Sequence, residues 1–189
     1  TLDEIFRVVG GGTPPTDNPV FWNGDIPWIT SADIYGLKDI QPRKLITEEA
    51  IQSSATNLVP KGSIIVVTRV SLGKVAITLY PLCFSQDSQA LIDDTGFLNK
   101  EYVLYFLSQA VRRFKYESRG TTIAGVTKKQ LVTLRLPLPP LPEQQRIVEV
   151  IEAEFTRLDV GVAALKRLRA NLKRYKAAVL KAAAEGKLV

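Results

Sequence analysis

Polar residues able to grip a planar or anionic group collect on predicted turns of this chain. Thr30 and Ser31 follow an apolar run, and Arg69, Ser71 and Lys74 surround a predicted hairpin loop. Gln86, Ser88 and Gln89 sit beside another turn, while Arg119, Thr121 and Thr122 lie on a glycine loop ahead of Lys128 and Lys129. The chemistry open to such a set is binding. Arg presents a planar fork of donors, Gln offers a donor beside an acceptor, and Lys supplies a compact charge. Catalysis is poorly provided for. The sequence holds no histidine, which removes Ser–His and Cys–His nucleophile pairs and the commonest general base. One cysteine and no histidine leave no transition-metal site of ordinary ligand type, so no metal is expected, and any catalysis would have to rest on carboxylates, lysines or a bound cofactor.

Two motifs look chemical and are set aside. Asn18-Pro-Val-Phe21 is similar to the Asn-Pro-Pro-aromatic motif with which adenine methyltransferases hold the target amine. The second proline is absent, and no glycine-rich cofactor loop follows a strand upstream. Gly10-Gly-Gly and Gly73-Lys74 lack the spacing and the following Ser or Thr of a phosphate-binding loop. Those glycines are expected to be turn residues with positive φ.

The charge balance points the same way. The net charge is +6 with a pI near 9.5, which favours a polyanionic partner. From Glu143 onward there are ten Lys/Arg against six Asp/Glu, and Lys166 to Lys181 run without an intervening acid. That stretch is either the solvated face of a helix or a stripe facing phosphates or a partner. Cys83 lies in an apolar run and is expected to be a small core residue, as in a protein of the reducing cytoplasm. No segment reaches the roughly 18 apolar residues that cross a bilayer, so no membrane is expected. The chain opens on Thr1, as expected of a processed product or a fragment.

These residues need elements to hold them. The first part, 1–136, reads as a mixed α/β domain with short strands at 25–30, 63–69, 74–80 and 88–92. The second and third form a hairpin across Val70-Ser-Leu-Gly73. A helix is predicted from Asn99 as N-cap to Phe114, with Tyr102, Tyr105, Phe106, Ala110 and Phe114 at helical spacing; its aromatics are expected in the core, with a stacking platform as the alternative. Thr127 and Gln130 make a capping box for a shorter one. Trp22 and Trp28 are expected in the core, with a ring laid against a ligand as the alternative.

Leu136-Pro-Leu-Pro-Pro-Leu-Pro142 then places four prolines in seven residues, an extended strap over 137–142. Pro142 and Glu143 suit the first turn of a helix that runs over 143–189 with only Gly161 to weaken it. Ile151, Leu158, Leu165, Leu172 and Val179 recur every seven residues. Phe155 and Val162 flank them early, four residues on; Leu168, Tyr175 and Ala182 flank them later, three residues on. This is a coiled-coil seam. At about 1.5–3 kcal/mol for each such side chain, leaving the stripe wet is untenable, so a second long helix is expected.

Several motifs resemble the specificity subunits of type I restriction–modification systems. They are Gly10-Gly-Gly-Thr-Pro14, then Phe21-Trp22-Asn-Gly24-Asp25-Ile26-Pro27-Trp28-Ile29, and Pro60-Lys-Gly62-Ser-Ile64 with Arg69 and Gly73-Lys74. Gly120-Thr-Thr122 ahead of Val126-Thr127, and the proline strap leading into Glu143-Gln144-Gln145-Arg146-Ile147, are similar to the boundary between recognition domain and helix. Leu180-Lys-Ala-Ala-Ala-Glu-Gly186-Lys-Leu188 resembles the end of the spacer region. The resemblance implies an α+β fold: a target-recognition domain followed by a helix that joins an antiparallel coiled coil. It implies sequence-specific binding of double-stranded DNA with no catalysis on this chain. Methyltransferase subunits, and restriction subunits where present, are the implied partners, and they would carry S-adenosylmethionine, ATP and Mg. A full subunit has two recognition domains and two helices; with one of each here, a homodimer through the long helix is expected to rebuild the twofold.

Within that frame Arg69, Gln86 and Gln89 are expected to read base edges, since Arg grips guanine and Gln grips adenine. Lys74, Arg119, Lys128 and Lys129 are expected on phosphates, with Thr30, Ser31, Ser71, Ser88, Thr121 and Thr122 as supporting contacts. The dimer helix is expected to use Ile151, Leu158, Leu165, Leu168, Leu172, Tyr175 and Val179. The alternative is a coiled-coil assembly scaffold whose domain binds protein.

Overall fold

The structure, a computed structural model, describes residues 1–117 and 125–187. It divides into two units, Thr1–Gln144 and Gln145–Val189.

The first unit is built on two small sheets. Strands β1 (Arg7–Gly10), β6 (Ile64–Val67), β7 (Val75–Ile77) and β9 (Ser88–Ile92) form one antiparallel sheet in the order β1-β9-β6-β7. Strand β2 (Ile26–Ile29) lies between β5 (Lys44–Ile46), antiparallel, and β8 (Cys83–Phe84), parallel. A two-stranded ribbon of β3 (Ile34–Gly36) and β4 (Asp39–Ile40) completes the β structure. The sequence pattern identified β2, β6, β7 and β9, but not β1 or the two- and three-residue strands β3, β4, β5 and β8. Runs as short as those four carry too few residues for an alternating pattern to register, whereas β6 and β7 lie within longer apolar runs.

Strand β6 is buried at every position, which explains its unbroken run Ile64-Ile-Val-Val67. Ile65 and Val67 join Ile29, Val59, Leu82 and Phe84 in the main core. A second core gathers Phe21, Trp28, Ile46, Ala50 and Cys83 around the short helix α1 (Glu48–Gln52). Cys83 is the core residue expected, and burial pushes its thiol up to about 11. The hairpin between β6 and β7 turns through Ser71 at φ 67° and Gly73 at φ 102°, so one positive-φ glycine is found where expected. Gly10, Gly11 and Gly12 are not among the positive-φ residues, and their turn assignment is corrected. A Cβ on Gly11 would stand 2.2 Å from the Ser85 carbonyl oxygen, and one on Gly12 only 2.3 Å from the Ala55 carbonyl carbon. These glycines let backbones touch.

Helix α2 (Lys100–Glu117) starts as expected: the Tyr102 amide donates to Asn99 Oδ1 at 3.0 Å. Its buried side is Tyr102, Val103, Leu104, Leu107 and Val111, and it packs on β7. Helix α3 (Lys128–Val132) has the Thr127–Gln130 capping box in both directions, at 3.2 and 2.9 Å. The strap's carbonyls are used: Pro137 accepts from the Tyr102 hydroxyl at 3.0 Å, and Pro139 from Gln144 Nε2 at 2.9 Å. Gln144 Oε1 in turn accepts from the Asn99 amide at 3.0 Å. One buried carboxamide thus ties the strap to the start of α2.

Helix α4 (Leu141–Ala184) spans 44 residues, about 66 Å at the usual rise, and begins two residues before the predicted start. Its second-unit portion leaves Leu158, Leu165, Leu168, Leu172 and Tyr175 exposed. No helix among the described residues is long and apolar enough to cross a membrane.

Candidate nucleic-acid interface

The register of the four-stranded sheet decides which loops meet. Gly10 pairs with Gln89, Val67 with Ser88, and Val66 with Val75. The segment after β1, the segment before β9 and the β6–β7 hairpin loop therefore share one end of the sheet. Backbone bonds lock them together. The amides of Thr68 and Arg69 both donate to the Asp87 carbonyl, at 2.8 and 3.1 Å, and the Thr68 hydroxyl joins them at 3.1 Å. Val126 donates to Thr68 at 2.8 Å, which brings the start of α3 to the same end. Ser85 donates to Ile29 at 2.9 Å, so the exit of β2 arrives there too.

On this end Arg69, Ser71 and Gln86 are exposed, as are Lys128 and Lys129 on the first turn of α3. Lys128 Nζ reaches the Val8 carbonyl at 3.5 Å, at the limit of a hydrogen bond. Gln86 accepts a hydrogen bond from the Thr13 hydroxyl, which fixes its carboxamide. These five expected contacts share one surface. A side chain fixed before a ligand arrives loses less entropy on binding.

Four other expected contacts, Ser31, Ser88, Thr30 and Lys74, are spent inside the fold, and the expectation is corrected for them. Ser31 is 5% exposed and Ser88 is 2% exposed, so neither side chain can meet a ligand. Thr30 caps the turn 31–33, accepting from the Ala32 amide at 3.2 Å and donating to Asp33 Oδ2 at 2.8 Å. Lys74 donates to the carbonyls of Ser31 and Ile34, both at 2.8 Å, and holds two segments together instead of waiting for a phosphate. Gln89, half-buried, lies beside Gly10, and its enclosed Oε1 has no hydrogen-bond partner among the described residues. Arg119, Thr121 and Thr122 lie outside the described residues.

Sequence reasoning missed the support beneath this surface. Asp33, almost fully buried, accepts from the Thr30 amide and hydroxyl and from Arg43 Nε. Burial pushes its carboxyl upward, but those donors and the Arg43 charge outweigh it and hold the group below the usual carboxylate range. Trp28 is core as expected, 4% exposed, with its Nε1 donating to Gly12 at 3.0 Å. Trp22 meets it edge-to-face at 5.1 Å and is half-buried, its Nε1 on the Pro15 carbonyl. Lys44 Nζ stands 4.8 Å from the Trp22 ring centre, beside a cavity of about 400 Å³ that Thr16, Arg43 and Leu45 also line. Nothing in the spacing marks Lys44 or Arg43, because both act on residues distant in the chain. Thr13 carried a signal, since it belongs to the Gly-Gly-Thr-Pro motif.

No group of three or more His, Cys, Asp or Glu that could hold a metal ion is found among the described residues. The arrangement presents donors and charges on braced loops and continues into a long helix with an open apolar stripe. This is the anatomy of a recognition module. The chain belongs to the family of type I restriction modification DNA specificity domains, whose model matches residues 1–160. It is 37% identical over 161 residues to the specificity subunit of the Escherichia coli type I restriction enzyme EcoR124I/EcoR124II, covering 80% of this chain and 39% of that protein. It is 33% identical over 155 residues to the MjaIX specificity subunit of Methanocaldococcus jannaschii, covering 79% and 36%. Among solved structures, the HsdS subunit of Thermoanaerobacter tengcongensis matches 99% of this chain and 44% of its own, with a TM-score of 0.66 and 28% identity. A chain from a structure of a type I R-M system matches with a TM-score of 0.79 at 25% identity, over 99% and 45%. The chain thus spans about two-fifths of the length of these curated relatives.

Proposed function

We propose that this chain is the target-reading part of a type I specificity subunit. It binds double-stranded DNA sequence-specifically and leaves catalysis to other subunits. The observation that carries this reading is the set of braced loops bearing Arg69, Ser71, Gln86, Lys128 and Lys129 at one end of the sheet, within a domain of this family. Arg69 and Gln86 read base edges, and Lys128 and Lys129 hold phosphates. Residues 1–136 read one half of a split target, 137–140 form the strap, and the long helix that starts at Leu141 sets the spacing. The similarity to specificity subunits gives no support to the scaffold alternative.

Two copies pair through α4, so the target is two inverted halves of one motif. Methyltransferase subunits dock on the pair with S-adenosylmethionine; restriction subunits, where the system has them, bring ATP and Mg. The site of action is the cytoplasm. The test is to co-express the chain with its methyltransferase subunit and map N6-methyladenine in the host DNA. One split motif with matching inverted halves is expected. No methylation, with the same methyltransferase active beside an intact specificity subunit, overturns the reading.

A further inference from the structure

We propose that the twofold axis relating the two antiparallel copies passes through Leu165. The inference rests on the homodimer proposed above and adds its register.

The apolar positions of α4 are spaced symmetrically. From Ile151 to Leu165 the steps along the seam are four, three, four, three; from Leu165 to Val179 they are three, four, three, four. A regular heptad never takes two steps of three in succession, so the phase of the seam breaks once, at Leu165. A partner helix can stay in contact through such a break only if its own seam breaks at the same level. Two antiparallel copies satisfy this in one register alone, with Leu165 facing Leu165. That register pairs Leu158 with Leu172 and Phe155 with Tyr175 of the other copy. All five side chains are exposed within their own chain: Leu165 is 66%, Leu172 73% and Tyr175 70% accessible. An isologous contact of this kind needs each residue's partner to be its mirror about the axis, as the spacing supplies.

Charge agrees independently. Residues 143–159 hold five acids against two bases, whereas 166–187 hold eight bases against one acid. Parallel copies would stack like charge on like charge along the whole rod. Antiparallel copies set the acidic half on the basic half, and in this register the flanking positions bring Asp159 beside Arg169 and Glu152 beside Lys176 of the partner.

The test uses the full chain with single cysteines under mild oxidation. The wild type, whose sole cysteine Cys83 is buried, is the control. Leu165→Cys is expected to give a disulfide-linked dimer. Leu158→Cys alone is expected to give none, because the two copies of that residue lie 14 positions apart along the rod, about 21 Å. The double variant Leu158→Cys with Leu172→Cys is expected to cross-link. A dimer by molar mass in which Leu158→Cys links and Leu165→Cys does not overturns the register and leaves the homodimer standing. A monomer at every concentration overturns both.

Discussion

Lys74 donates from Nζ to the carbonyl oxygen of Ser31 at 2.8 Å, across 43 residues of chain. The same ammonium reaches the Ile34 carbonyl at 2.8 Å, so the hairpin that carries Arg69 is moored to the turn after β2. A lysine that looked like a phosphate contact is therefore a brace. Lys74→Met is expected to lower stability by about 1.5–3 kcal/mol, the range for a hydrogen bond to a charged group. Affinity for the cognate duplex should fall as the loops loosen. The slope of log affinity against log salt should stay as in the wild type, since no phosphate contact is lost. Binding across a salt series decides it: a slope reduced by about one would return Lys74 to the phosphate contacts.

Arg69 and Lys128 share this end of the sheet but should fail differently. Arg69→Ala is expected to cost about 1–3 kcal/mol on the cognate duplex and to relax the methylated motif at one position of each half. Lys128→Ala is expected to weaken all duplexes alike and to lower the salt slope by about one. Competition binding against single-base variants of the target separates the two. Uniform weakening by Arg69→Ala would make it a phosphate contact.

Asp33 supplies a pH dependence whose sign follows from its surroundings. Its folded carboxyl titrates below the unfolded value of about 3.9, because the Thr30 donors and Arg43 outweigh the opposing effect of burial. A depressed carboxylate contributes stability that is fully present above the unfolded value and is lost as pH falls through the folded one. Asp33→Asn should therefore destabilise the chain at neutral pH and flatten the fall in melting temperature below about pH 4. Parallel thermal melts from pH 7 to pH 3 check this. An undiminished acid slope in the variant would assign the acid sensitivity to other carboxylates.

Gly11 is expected to tolerate no side chain. Its absent Cβ would lie 2.2 Å from the Ser85 carbonyl oxygen and 2.5 Å from a Phe84 ring carbon. Neither neighbour can retreat without breaking a paired segment, since Gly12 donates to the Phe84 carbonyl at 2.9 Å and Ser85 donates to Ile29. Gly11→Ala should lower stability by about 3 kcal/mol, the upper part of the range for overpacking. Gly161→Ala, which meets nothing within 4 Å, is the matched control and should leave the melting temperature of the first unit unchanged.

The glycine run shows where sequence reading ended. Its motif was visible, but the spacing could not tell a turn from a close approach, because the backbones that approach Gly11 and Gly12, at Phe84–Ser85 and Ala55–Thr56, lie some 70 and 40 positions away in the chain. Local signals carried further. The Thr127–Gln130 box, the Asn99 cap, the hairpin over Ser71 and Gly73 and the long helix all depend on neighbours within a few residues. The candidate surface was half legible. Residue types marked Arg69, Gln86 and Lys128, while burial removed Ser31 and Ser88, and burial depends on sheet register. Gln144 is the mixed case: the Glu-Gln-Gln-Arg-Ile motif drew attention to it, yet only the fold reveals its bonds to Asn99 and Pro139.

The apolar stripe of α4 gives the last prediction. Leu172 is 73% accessible within its own chain, so an aspartate there costs the isolated fold little. In a paired seam the same carboxylate would be buried without a partner, which costs several kcal/mol for each copy. Leu172→Asp is therefore expected to reduce the molar mass in solution from dimer to monomer while the melting temperature of the first unit stays within a degree or two. Methylation of the split motif should vanish with the dimer, because spacing between two halves has no meaning for one. Light scattering and methylation mapping on the same variant make the comparison. A variant that stays dimeric places the contact elsewhere on the chain, and one that turns monomeric yet still methylates the split motif removes the homodimer from the mechanism.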